Sequence, residues 1–156
     1  MKKIKVKSLK NDSFKKYGQI ISDSKNCPDV ENDLIKYWDS VSELDVAEGL
    51  NTGIVEGKSN DRVVDGVEKH TTSPEIITAL SDDFIILLGK GEAESKIEYD
   101  AFYVKQGDAI VLNENTWHSV PLAVNESCRC LIVFKKDTFA NDLVLNDLSE
   151  KIRIIK

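Results

Sequence analysis

Between residues 63 and 134 the chain breaks its apolar residues into short runs, each closed by a turn signal and repeated at intervals of about 8–12 residues. Runs this short can cross a sheet once but are too brief for an ordinary helix of about three turns. Phe84-Ile85-Ile86-Leu87-Leu88 is an unbroken apolar run ended by Gly89, the pattern of a strand buried on both faces. Residues 63–64 and 67–70, 75–80, 101–105, 109–112, 117–122 and 128–134 read as further strands, with Ser81-Asp82-Asp83 as a turn. In the first half, residues 3–9, 34–38 and 51–56 read the same way, and Ile20-Ile21 begins another apolar stretch. Asp12 or Ser13 is placed to cap a short helical turn over residues 14–17 that Gly18 ends. The tail, residues 143–145 and 152–155, predicts edge strands or a short packing segment. Evenly spaced short strands on this scale close into a sandwich or a barrel. With 156 residues, the chain is expected to form one all-β domain over residues 1–156.

Composition narrows the function classes. The net charge is −6, which disfavours nucleic acid, because phosphate binding needs a basic face. An anionic substrate would then need a local positive centre, such as a metal ion or a few lysines. No run approaches the roughly 18 consecutive apolar residues of a membrane span. The opening Met1-Lys2-Lys3-Ile4-Lys5-Val6 alternates charge and apolar residues and lacks the core of a signal peptide, so a cytoplasmic location is expected. Cys27, Cys128 and Cys130 make an odd count. Cys128 and Cys130, two apart on a strand, share a face and read as buried core thiols. Gly89-Lys90-Gly91 reads as a turn, since neither a P-loop pattern nor a helix follows. The charged stretches over residues 2–16 and 92–98 read as solvated surface.

The candidate chemistry lies in two segments, which contain both histidines of the chain. In the first, Glu68 and His70 are two apart and share a strand face, and Glu75 follows beyond the turn at Pro74. The second runs from Gly107 to His118 and carries Asn113, Glu114 and Asn115 before Trp117-His118. Alternation turns Trp117 and Lys69 away from the face of His118 and His70, so Trp117 is expected in the core or at a subunit contact. Asn113 and Asn115 fit turn positions. Two imidazoles with one or two carboxylates form a mixed nitrogen and oxygen donor set suited to Ni, Zn, Mn or Fe.

Glu68, His70 and Glu75 resemble the first motif of the cupin superfamily, G-x5-H-x-H-x3–4-E, with Glu for its first His. Gly107, Asn113, Asn115 and His118 resemble the second motif, G-x5-P-x-G-x2-H, with Asn for Pro and Gly. A narrower resemblance covers most of the chain. Phe14-Lys15-Lys16-Tyr17-Gly18-Gln19-Ile20, Leu34-Ile35-Lys36-Tyr37-Trp38-Asp39, Glu68-Lys69-His70 and Asn115-Thr116-Trp117-His118 with Pro121-Leu122 are similar to segments of the ureidoglycolate lyase family, in the same order. The chain differs in having Asn113-Glu114 where that family has a basic pair, and Lys69 where it has arginine.

The resemblance implies a cupin-type (RmlC-like) β-barrel or jelly roll with a divalent metal inside it, nickel in the lyases. It implies the release of glyoxylate and urea from ureidoglycolate, as in allantoin and purine-nitrogen breakdown. The metal ligands would be His70, His118 and Glu75, with Glu68 either a fourth ligand or the general base. The catalytic residues would be Glu68 and His118. It also implies a homodimer with a small hydroxy acid as substrate. The competing expectation is a cupin that binds a small acid or sugar acid without this activity.

Overall fold

The computed structural model describes residues 1–22, 27–59, 61–91 and 97–155. In chain order they form β1 (Lys2–Ser8), α1 (Asn11–Phe14), β2 (Gly18–Ile21), β3 (Val30–Glu31), β4 (Lys36–Tyr37), β5 (Leu50–Lys58), β6 (Val63–Lys69) and β7 (Glu75–Ala79). There follow β8 (Phe84–Lys90), β9 (Glu98–Val104), β10 (Ala109–Leu112), β11 (Trp117–His118), β12 (Leu122–Ala123), β13 (Ser127–Lys135), α2 (Thr138–Asn141) and β14 (Val144–Ile155).

Two sheets carry the architecture. The larger runs β11-β6-β14-β1-β9-β8-β12, and β11 also pairs with β8, so the strands from β6 round to β8 close into a ring. Closure removes two sheet edges that would otherwise expose unpaired backbone. The smaller sheet runs β2-β10-β7-β13-β5. Between the sheets lies a core that includes Phe14, Tyr17, Phe102 and Cys130, while a second cluster with Val67, Trp117 and Ile154 fills the other face of the larger sheet. β8 feeds both: Phe84, Ile86 and Leu88 enter the first cluster, Ile85 and Leu87 the second. That double burial is why its sequence is continuously apolar. Cys128 and Cys130 are buried free thiols on one face, as their spacing predicts.

Several expectations need correction. The helical turn begins earlier, at Asn11, and neither Asp12 nor Ser13 caps it; Lys10 stands at the cap position and the Ser13 hydroxyl donates to Lys10 O at 3.1 Å. The earlier start brings both Phe14 and Tyr17 into the core. Gly18 opens β2 instead of ending a helix. Of residues 34–38, only Lys36–Tyr37 is strand. The Asn32 carboxamide oxygen accepts from the N–H groups of Leu34 and Ile35 at 2.8 and 3.1 Å, which holds them in a turn.

The single strand expected over 117–122 is two. The Ser119 hydroxyl, not a backbone carbonyl, accepts from Leu87 N–H at 3.1 Å, and Pro121 has no N–H to give a ladder. The tail is one strand, β14, and it is not at an edge: it lies between β6 and β1, parallel to β1. β8 continues through Lys90, beyond the turn expected there. Of the charged stretch 92–98, residues 92–96 lie outside the described residues. No helix among the described residues is long and apolar enough to cross a membrane.

Candidate metal centre

Strand register assembles the site. β11 pairs antiparallel with β6 so that His118 stands directly opposite Glu68, and cross-strand partners share a face. His70 follows two residues after Glu68 on that face. From the smaller sheet, β7 presents Glu75 at its first residue, opposite Phe134 of β13. Glu75 Oε2 lies 3.1 Å from His118 Nε2 and 3.7 Å from His70 Nε2, and Glu68 Oε1 lies 3.5 Å from His118 Nε2. Donor atoms of Glu68, His70 and His118 all fall within 4.8 Å of one another. All four residues predicted from the sequence therefore meet in one place. They line one end of a cavity of about 390 Å³ between the sheets.

The two imidazoles are oriented by backbone carbonyls. His70 Nδ1 contacts Asp142 O at 2.8 Å and His118 Nδ1 contacts Thr116 O at 3.0 Å. A carbonyl can only accept, so each Nδ1 carries the proton and each Nε2 points its other valence at the carboxylates. This is the arrangement by which proteins fix a histidine for metal ligation. The ring of Phe134 stacks on His70 at 5.9 Å and 25°.

His118 Nε2 and Glu75 Oε2 are buried and, although close, satisfy no hydrogen bond. Buried polar atoms without partners are uncommon. Two of them aimed at a common point, with further imidazole and carboxylate donors beside them, fit a divalent cation. Burial alone pushes the His118 imidazole down, but the charge of Glu75 and the contacts of Glu68 and Glu75 override it and raise its pKa to about 10. His118 in turn holds the Glu68 carboxyl below its ordinary range, against the opposing pull of burial. Glu68 is therefore ionised at neutral pH.

Sequence reasoning missed Asp142. Its carboxylate accepts from Thr71 N and Oγ1 at 2.8 and 2.6 Å and from Thr72 N and Oγ1 at 2.8 Å each. Burial pushes its carboxyl up, but these four donors outweigh that and hold the pKa down at about 2. The clasp fixes the turn between His70 and Glu75, while the Asp142 carbonyl orients His70. The only sequence cue is the hydroxyl run Thr71-Thr72-Ser73, which needs an acceptor from elsewhere. The second segment is tied in by Asn115, which adopts a left-handed φ of 59° and donates its N–H to His70 O at 2.7 Å. Trp117 is in the core, with Lys69 Nζ 4.6 Å over its ring, so both face away from the histidines as alternation predicts.

The ureidoglycolate lyase family model matches residues 1–154. The chain belongs to that family. No protein of curated function matches it significantly. Among solved structures, a mutant of the 3,4-ketoisomerase QdtA from Thermoanaerobacterium thermosaccharolyticum, in complex with TDP-4-keto-6-deoxyglucose, is similar with a TM-score of 0.51 and 12% identity, over 82% of this chain and 83% of that one. The TDP-quinovose 3,4-ketoisomerase WlaRB from Campylobacter jejuni is similar with a TM-score of 0.48 and 11% identity, over 62% of this chain and 69% of that one. At such identities the likeness speaks for the fold alone, an RmlC-like cupin barrel. The expected fold class is thus borne out.

Proposed function

We propose that this member of the ureidoglycolate lyase family is a metal-dependent carbon–nitrogen lyase acting on a small 2-hydroxy acid whose hydroxyl-bearing carbon also carries nitrogen, ureidoglycolate being the reference case. The observation that carries the reading is the pair of imidazoles whose Nε2 atoms converge with two carboxylates while both Nδ1 atoms are committed to carbonyls. His70 and His118 would hold the ion, with carboxylate donors from Glu75 and Glu68. A divalent cation there would supply Lewis-acid chemistry, favouring ionisation of the substrate hydroxyl.

The remaining work falls to the chain. Glu68 is the more accessible carboxylate, 29% exposed against 8% for Glu75, and is already ionised. It takes the hydroxyl proton as general base and returns it to the departing nitrogen. The C–N bond breaks, the carbinol carbon becomes the aldehyde of glyoxylate, and urea leaves. Glu75, His70 and His118 stay in place, held by the Asp142 clasp and the Thr116 carbonyl. Release of glyoxylate and urea from racemic ureidoglycolate by ion-loaded protein tests the reading; no release from any 2-hydroxy acid of this type would sink it.

The family resemblance also supports a homodimer. The exposed Leu34, Ile35 and Tyr37 beside and on β4, and the outer strand β5, are surfaces a second copy would cover. Light scattering tests this, and a mass equal to one chain would rule it out.

A further inference from the structure

The four titratable side chains occupy only one end of the cavity. Beyond them the walls are Val55 of β5, Ile77 of β7, and Ile132 and Phe134 of β13, with Phe139 of α2 at the lining. Register explains the wall: Ile132 stands opposite Ile77 on one side, and Val55 opposite Cys130 on the other, so beyond Glu75, which opens β7 at the polar end, these neighbouring inward positions are hydrocarbon or thiol.

Ser119 also lines the cavity, but its hydroxyl already donates to Val120 O at 2.9 Å and accepts from Leu87 N–H. Among the described residues of the lining, none is Lys or Arg. Lys69 covers Trp117 on the opposite face, and Lys135 Nζ donates to Thr72 Oγ1 at 3.1 Å. Glu114, where the lyase pattern is basic, lies outside this cavity.

A hydroxyl and a carboxylate on one carbon can be satisfied only at the polar end. The group beyond the leaving nitrogen must then lie along the apolar wall. In ureidoglycolate that group is an NH₂, whose two donors find no acceptor on Val55, Ile77 or Ile132. A buried donor left without a partner carries its full desolvation penalty. A hydrocarbon in the same position gains by leaving water. The cavity lies within the roughly 300–1,000 Å³ range of pockets that enclose drug-sized ligands, so a ring fits beside the two-carbon acid.

We infer that the substrates of this chain are N-acyl-2-hydroxyglycines with an apolar acyl group, aliphatic or aromatic, and not ureidoglycolate itself. The inference rests on the lyase reading and changes only what hangs on the nitrogen. The reaction balances in the same way: R–CO–NH–CH(OH)–COO⁻ gives R–CO–NH₂ and OHC–COO⁻. The C–N bond breaks, the carbinol C–O becomes a carbonyl, and the hydroxyl proton ends on the amide nitrogen, with no redox partner.

Two inert analogues that lack the hydroxyl test binding apart from turnover. Hippurate carries benzoyl on glycine nitrogen, and hydantoate carries carbamoyl. Calorimetric titration of nickel-loaded protein is expected to show hippurate binding on the order of tenfold tighter or more. Val55→Thr, which keeps the side-chain shape and adds a hydroxyl to the wall, is expected to narrow that ratio. Hydantoate binding as tightly as hippurate, failure of both to bind, or a ratio that Val55→Thr leaves unchanged overturns the proposal. Glyoxylate release from N-benzoyl-2-hydroxyglycine and from ureidoglycolate forms the second arm. Faster release from the benzoyl compound supports the proposal. Faster release from ureidoglycolate overturns it and leaves the lyase reading standing. Tighter hippurate binding with no release from either compound sinks the lyase reading and with it the assignment of these compounds as substrates.

Discussion

His118 sits where opposing effects are largest. Burial disfavours its charged form, and two carboxylates within 3.1 and 3.5 Å favour it more strongly. Its Nε2 forms no hydrogen bond, and a cation bound there would take the place of the proton that the two carboxylates otherwise favour. His118→Ala is expected to reduce bound divalent ion, measured by elemental analysis of untagged protein, from about one per chain to near zero, with the β-sheet circular dichroism retained. Full metal content in the variant would remove His118 from the site.

Asp100 offers a residue-scale prediction away from the centre. Its carboxylate meets Lys7 Nζ at 2.6 Å, Tyr17 OH at 2.9 Å and Lys16 Nζ at 3.1 Å. Burial pushes its carboxyl up, but these three donors more than reverse that and hold it below its usual value. Because the folded-state pKa lies below the unfolded one, the contribution is complete above the unfolded value of about 3.9 and is lost as pH falls through the folded value. Asp100→Asn is expected to cost about 1–3 kcal/mol in urea unfolding at about pH 7, and the gap from wild type should be smaller at about pH 3, below the unfolded value. An equal gap at both pH values would contradict the account. Glu68, His70, Glu75 and His118 were legible as candidates because strand period and motif spacing are local properties. Asp142 was not, since its partners Thr71 and Thr72 lie about seventy positions away and only tertiary structure joins them.

Among the elements, β2 is held against β10 at a distance that only glycine permits. A Cβ on Gly18 would sit 1.7 Å from Val111 O, in a pair where Gly18 stands opposite Leu112. The atoms it would meet, Val111 O and C, are backbone and cannot move without opening the ladder. Gly18→Ala is expected to destabilise the protein by about 3 kcal/mol or more, among the larger single-site effects. Urea denaturation checks it, and a change under about 1 kcal/mol would contradict so close an approach. β8 was readable because burial on both faces leaves an unbroken apolar run. The 117–122 segment was not, since the switch of Leu87 N–H from a backbone acceptor to Ser119 Oγ leaves no periodic trace. β14 shows the same limit: Ile152 and Ile154 alternate as a strand should, but no local pattern says that its neighbours are β6 and β1.

For the whole molecule, regular strand spacing announced an all-β barrel, while closure of the larger sheet through β11 depends on non-local pairing and appears only in the structure. That closure matters for the proposed centre. Glu68, His70 and His118 come from or adjoin strands of the larger sheet, and Glu75 comes from the smaller one. An ion held by all of them would tie the two sheets together across the cavity. It would bind the folded chain and not the unfolded one, so it would stabilise the fold by mass action. At a free concentration about 100 times its dissociation constant, the gain is about 2.7 kcal/mol. For a chain near this length that corresponds to a rise in Tm of roughly 5–10 °C. Nickel or zinc added to chelator-treated protein should produce a rise of that order, and His118→Ala should abolish it. If the wild-type Tm does not respond to Ni, Zn, Mn or Fe, the convergence of these four side chains is not a cation site. His118 would then be the charged ion-pair partner of Glu75 and Glu68.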